Sequence, residues 1–194
     1  MARIPLDPPR TLVYRLTRWY SHRRFGALAE PAAAMGHQPR VLLTDARHEM
    51  ALARWHALDP TLKDLAVMAS AVTVGCSWCV DFGYWTSTSN GVDPAKLRAV
   101  PAWRASDLFT GTERAVLAYA EAVSATPPAV TDAMVADLRG RLDDAALVEL
   151  TMMIAVENQR SRFNSALGLT SQGFSDRCEL PAPRIAEAPT SGAA

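Results

Sequence analysis

Apolar residues in this chain recur at intervals of three and four, and no stretch alternates apolar with polar residues as a half-buried strand must. That periodicity leaves the helix as the building element, so an all-α fold is expected. Residues 61–74 are the clearest case, with Leu62, Leu65, Ala66, Ala69 and Val72 on one face. A first helix is expected at 9–28, its stripe formed by Leu12, Leu16 and Tyr20 with Val13 and Trp19, among Arg15, Arg18, Arg23 and Arg24. That stripe is read as packing on this or a neighbouring subunit rather than on a membrane surface. Residues 30–40, holding Pro31, Gly36 and Pro39, read as a loop before a short helix at 45–55. Pro60 sits at a helix start, where its missing N–H costs nothing, and Gly75 is a plausible C-terminal cap. Further helices are expected at 77–88, from Asp93-Pro94 to Val100, and from Thr110 or Thr112 with Glu113 to the break at Pro127-Pro128. Two more follow at 131–142 and 143–167. Periodicity fails after Leu169, and residues 175–194, with three prolines and a small-residue end, read as a poorly ordered tail.

A length of 194 residues suits one domain with a sizeable core. The expected division is an N-terminal helical extension at 1–44, a helical domain at 45–170 and a flexible tail at 171–194. The 20 basic and 20 acidic residues cancel, so nothing draws the molecule as a whole to nucleic acid or anionic lipid. No apolar run approaches the ~20 residues of a membrane-spanning helix, and the first ten residues lead into no apolar signal core. Three cysteines are too few, and odd in number, for a disulfide framework. A cytoplasmic protein is expected, and there a close cysteine pair points to chemistry rather than to a structural staple.

That pair is Cys76-Ser77-Trp78-Cys79, immediately after Gly75. Two sulfurs at this spacing suit a redox couple if the backbone bends as at a helix start. Unpaired N–H groups and the partial positive charge there favour thiolate over thiol, and the thiolate is the species that attacks a peroxide or a disulfide. Other readings are half of a zinc site, which lacks a second ligand pair at finger spacing, two buried cysteines acting as small apolar residues, and a static disulfide. Asp64 lies twelve positions before Cys76. It can approach the pair only if the next helix folds back antiparallel; otherwise it complements its own helix dipole.

Residues 45 to 170 resemble the carboxymuconolactone decarboxylase and AhpD-like alkylhydroperoxidase superfamily. The motif of that superfamily is an acid, eleven residues, Cys-x-x-Cys, three residues and a histidine. Asp64, Cys76 and Cys79 match the acid and the cysteines, and the stretches Thr112–Glu121, Leu147–Leu150 and Asn158–Asn164 are also similar. The resemblance implies an AhpD-like helical fold, a homo-oligomer, and an antioxidant thiol peroxidase that needs no bound cofactor or metal. In that scheme Cys79 would be oxidised by a hydroperoxide and Cys76 would donate a proton and close the disulfide. Asp64 would belong to a proton relay, and a dithiol donor, a lipoyl group or a small thiol protein, would return the electrons.

The chain departs from the motif in three places. Asp64 replaces the usual glutamate, Gly83 stands where the histidine belongs, and Trp78 lies where a second histidine sometimes occurs. Candidates for the missing imidazole are Asp81, Tyr84, His48 and His56. Trp78, Phe82, Tyr84 and Trp85 would form core, subunit interface or the wall of a dry pocket. In the last helix Leu147, Leu150, Thr151, Ile154, Asn158 and Arg162 are read as one stripe. Its polar end is expected to join a hydrogen-bonded network with Glu149, Glu157 or Asp64. Two alternatives to the peroxidase remain: a decarboxylase-branch enzyme that uses Arg162 to hold a lactone or small acid, and a non-catalytic helical assembly module.

Overall fold

Each helix begins where the sequence supplies a group for its free N–H donors. The computed structural model describes residues 2–178, 182 and 183. Helix α1 (Leu12–Phe25) starts on Thr11, whose hydroxyl accepts the Tyr14 N–H, and ends at Gly26 with φ 74°. Residues 30–40, expected to be a loop, instead hold α2 (Glu30–Met35) and the start of α3 (Pro39–Leu52). Pro31 and Pro39 sit in first turns, where the missing N–H has no helical partner to lose, so they open helices rather than break one. Asp59 caps α4 (Pro60–Val74) by accepting from the Thr61 and Leu62 N–H groups. Then come α5 (Ser77–Ser89) and α6 (Pro94–Ala99), the latter extended by a 3₁₀ segment, Val100–Ala105. Helix α7 (Gly111–Ser124) opens with a reciprocal capping box between Thr110 and Glu113. Helices α8 (Asp132–Arg139) and α9 (Asp144–Ala166) follow, then a 3₁₀ turn at Ser175–Arg177. Among the described residues there is no strand, so the fold is all-α.

The chain divides into two compact units at Trp55 rather than at residue 44, which lies inside α3. The first unit contains α1, α2 and α3, together with Ala166–Leu169. Here α1 buries Tyr14 and Ser21, and the Ser21 hydroxyl donates to the Ala27 carbonyl and accepts from the Ala29 N–H. The expected stripe of Leu12, Leu16, Trp19 and Tyr20 faces outward, with Leu12 71% exposed.

In the second unit α4 is the axis, packed by α5 and α7 and burying Leu65, Ala66, Met68, Ala69, Ser70 and Ala71. Polar links fix α9 to this core. Asn158 donates to Ser70 Oγ of α4 at 3.0 Å and to Ser124 Oγ of α7 at 2.9 Å, and the two hydroxyls bond each other at 2.6 Å. Glu149 accepts the N–H groups of Ala57 (2.7 Å) and Leu58 (3.3 Å) and pairs with Lys63, which fastens the entry to α4 onto α9. Burial alone would raise the pKa of Glu149, but Lys63 and the two amides outweigh it and hold it below the usual carboxylate value.

Removing the Glu149 carboxylate strands two backbone donors and a half-buried ammonium. Glu149→Ala is therefore expected to lower unfolding stability by about 3 kcal/mol at neutral pH. Because the folded pKa is depressed, that contribution is present above ~4.3 and fades as the pH falls through the folded value. Urea denaturation at pH 7 and pH 3 should show the gap between wild type and variant closing in acid.

Candidate active site

Helix α4 ends because Gly75 takes φ 79°, a left-handed conformation open to a residue without Cβ. The Gly75 and Cys76 N–H groups both return to the Ala71 carbonyl, and the chain reverses within one residue. Cys76 thereby becomes the N-cap of α5, with its Sγ accepting the Cys79 N–H at 3.2 Å. Cys76 and Cys79 are joined as a disulfide, with Cα atoms 5.3 Å apart. Both residues are buried, Cys76 2% and Cys79 6% exposed.

Helix α9 supplies the polar groups at the sulfurs. Asn164 Nδ2 lies 3.3 Å from Cys79 Sγ and 3.8 Å from Cys76 Sγ, and the Ser161 hydroxyl lies 3.3 Å from Cys79 Sγ. Ser161 Oγ is also 2.9 Å from Glu157 Oε1, and Glu157 Oε2 meets Arg160 Nη1 at 3.3 Å. Glu157, Ser161 and Asn164 are all buried. An array of donors around sulfur suits a thiolate, which accepts hydrogen bonds more strongly than a thiol or a disulfide.

The expected α9 stripe was one position out of register. Steps of four, as from Ile154 to Asn158 to Arg162, advance by about 40° each on a helix of 3.6 residues per turn. Arg162 is carried out to the surface, where it donates to Thr126 Oγ1 at 2.8 Å. Alternating steps of four and three keep to one face and run through Leu150, Ile154, Glu157, Ser161 and Asn164. Ser161 and Asn164 were not singled out from the sequence, and Glu157 only as a partner for Asn158. The signal for all three was this 4-3-4-3 spacing.

The other expected site residues are dispersed. Helix α5 does fold back antiparallel to α4, but this brings Asp64 to the far end of α5, where Asn90 Nδ2 donates to it at 3.1 Å. Twelve residues of helix, about 18 Å, separate it from Cys76. Burial raises the Asp64 pKa against the opposing effects of Asn90 and Lys63. A Cβ added at Gly83 would stand 3.8 Å from Met68 Cε, so a buried thioether occupies the neighbourhood of the absent imidazole. Tyr84 is fully buried, its hydroxyl has no hydrogen-bond partner, and burial raises its pKa. His48 lies on α3 in the first unit, and His56 is exposed ahead of α4. Among the described residues no cluster of three or more His, Cys, Asp or Glu side chains could hold a metal ion.

Asp81 has a structural task instead of a proton to shuttle. Its carboxylate accepts the N–H groups of Gln172 (2.9 Å), Phe174 (3.0 Å) and Ser175 (2.8 Å). The segment expected to be a loose tail from residue 171 is thus bound to α5 as far as Cys178; the rest of that expectation falls largely outside the described residues. Phe174 is buried against Trp78, Phe82 and Trp85, and Gln172 accepts the Trp78 indole N–H at 2.7 Å.

Comparison with known proteins matches residues 39–122 to the carboxymuconolactone decarboxylase family. The uncharacterized protein YnjA of Escherichia coli strain K12 is 35% identical over 174 residues, covering 89% of this chain and 94% of that protein. Two solved structures have similar folds. The debrominase Bmp8 bound to 2,3,4-tribromopyrrole aligns at a TM-score of 0.78 and 20% identity, over 90% of this chain and 95% of its own. A peroxidase-related protein with an alkylhydroperoxidase AhpD core, from Ralstonia eutropha JMP134, aligns at 0.78 and 17% identity, over 93% and 97%. The fold is therefore AhpD-like.

Asp81 accepts three backbone N–H groups, and these hold its pKa below normal although burial opposes them. Asp81→Asn should cost about 2 kcal/mol at pH 7. The wild-type advantage, present above ~3.9, should vanish as the pH falls through the lowered folded pKa. Thermal melts followed by tryptophan fluorescence, which reports Trp78 and Trp85 beside the segment, measure both effects.

Proposed function

We propose, from the premise that this chain belongs to the carboxymuconolactone decarboxylase family, that it is a thiol-dependent oxidoreductase that reduces hydroperoxides. The observation that supports this most is the Cys76–Cys79 disulfide at the start of α5, with Ser161 and Asn164 as donors to its sulfurs. Cys79 receives two side-chain donors at 3.3 Å and is assigned the attacking sulfur; Cys76, the N-cap, is assigned the resolving one.

The Cys79 thiolate attacks the terminal peroxide oxygen. An S–O bond forms, the O–O bond breaks, and the alkoxide leaves and takes up a proton. The Cys76 sulfur then attacks Cys79, the S–O bond breaks, and water departs with the thiol proton. A dithiol, a lipoyl group or a small thiol protein, returns two electrons and two protons and becomes a disulfide. Since both sulfurs are buried, entry of oxidant and reductant requires local opening, and reduction by a bulky thiol should be slower than by a small one.

Competing readings have less support. The decarboxylase reading relied on Arg162, whose guanidinium binds Thr126 at the surface. An inert packing role for the cysteines fits poorly with three polar side chains spent on their surroundings. The exposed Leu12, Leu16, Trp19 and Tyr20 support the expectation of a homo-oligomer. No described helix is long and apolar enough to cross a membrane.

Reduced protein treated with a stoichiometric alkyl hydroperoxide should lose two thiols and regain the disulfide. In Cys76→Ser, a sulfenic-acid probe should label Cys79 once per chain, and Cys79→Ser should consume no peroxide. Peptide mass spectrometry reads each outcome. Thiols that survive the peroxide intact would overturn the proposal. Consumption of a bromopyrrole in its place would move the chemistry toward that of Bmp8.

A further inference from the structure

The peroxide reaction needs a proton at the moment the alkoxide leaves, and the imidazole expected to deliver it is replaced by Gly83. A second acid path reaches Cys79 from α9. Glu157, 3% exposed, contacts Ser161 Oγ at 2.9 Å, and that hydroxyl contacts Cys79 Sγ at 3.3 Å. Ser161 has one proton and two acceptors within reach, so it serves them in turn. A disulfide sulfur is a weak acceptor, and in the oxidised state the proton belongs on the Glu157 carboxylate side. When Cys79 is a thiolate, sulfur is the stronger acceptor and the hydroxyl turns to it. Ser161 Oγ is then left as an acceptor, which a protonated Glu157 satisfies.

We infer that Glu157 stores the proton used in the Cys79 reaction and Ser161 passes it. This rests on the peroxide-reducing reading above and deepens it. As the Cys79 thiolate takes the terminal oxygen, Ser161 gives its proton to the departing alkoxide and recovers one from Glu157, which becomes a carboxylate. When the dithiol reduces the disulfide, the proton arriving on Cys79 returns through Ser161 to Glu157. The site is then again a thiolate facing a carboxylic acid. Ser161 touches the reacting sulfur and is a catalytic residue in this scheme; Glu157 acts through it. The titratable or charged groups in contact with the path are Cys76 and Cys79 at the start of α5 and Arg160 on α9. Asn164 is neutral, and toward α9 the helices α4 and α7 present the hydroxyls of Ser70 and Ser124.

Two reactions of the same sulfur separate this role from a structural one. Iodoacetamide releases iodide, which needs no proton, whereas a hydroperoxide releases an alkoxide, which does. In a Cys76→Ser background with Cys79 followed by peptide mass, Ser161→Ala and Glu157→Gln should slow the reaction with an alkyl hydroperoxide about 100-fold. Alkylation at pH 7 should stay within a few-fold of the parent. Glu157→Asp should recover part of the peroxide rate. The pH profile of alkylation should show two coupled steps in the parent and one in Glu157→Gln. Equal slowing of both reactions, or slowing of neither, would overturn the relay. If the parent itself ignores peroxide, the function proposed above fails, and the alkylation profile still decides the relay: two steps collapsing to one support it, and a single step in the parent refutes it.

Discussion

The left-handed turn at Gly75 is the constraint on which the site depends. A residue with a side chain would resist φ 79°, and α4 would run on or end in a wider loop. With glycine there, α4 stops, the Cys76 N–H closes back onto Ala71, and α5 starts on a sulfur rather than on the usual hydroxyl or carboxylate. The first turn of α5 then sets the Cα separation of Cys76 and Cys79 at 5.3 Å, within the range a disulfide spans. One backbone torsion therefore joins helix termination, antiparallel packing and sulfur pairing. The reversal is affordable because α4 is buried along much of its length, so packing holds the two helices together beyond the turn.

The α4–α5 hairpin was legible because its signals are local. Asp59-Pro60 opens it, Gly75 divides it, and apolar residues fall at helical spacing between. Helices α2 and α3 were not legible because proline has the same letter in a first turn as in a loop. Only the capping residue and the chain that packs on it separate the two uses. The bound stretch from Gln172 to Ser175 escaped for a related reason. It has no periodicity of its own and is held by a single distant carboxylate, Asp81, some ninety residues earlier.

The site was legible in its sulfurs and not in its acid. Spacing along a sequence locates groups within one helix turn well, so Cys76 and Cys79 were placed together. Between two antiparallel helices a residue near the start of one faces the end of the other. Asp64 therefore had to meet Asn90 and not Cys76. On α9 the error was one of phase: steps of four suit a short pair, and over three steps they rotate out of the interface.

Gly83 and Met68 on one side of α5, and Glu157, Ser161 and Asn164 on α9, form a consistent pair of changes. Without the imidazole there is no bridge from α4 to Cys79, and an acid at the start of α4 has no path to the sulfur. Met68 is buried beside Gly83, which keeps that side dry and free of a competing proton. On α9 the distances are short enough for a relay with one intermediary. A carboxyl held in a buried setting is easier to protonate than one in water, as a proton store must be, while Arg160 at 3.3 Å tempers that tendency. The stretch of helix that fastens α9 to α4 and α7 through Asn158 therefore also sets the position of the acid, since Glu157 is its sequence neighbour. Rigidity in the Ser70–Ser124–Asn158 link and proton delivery at Cys79 are two consequences of one helix being held in one rotation.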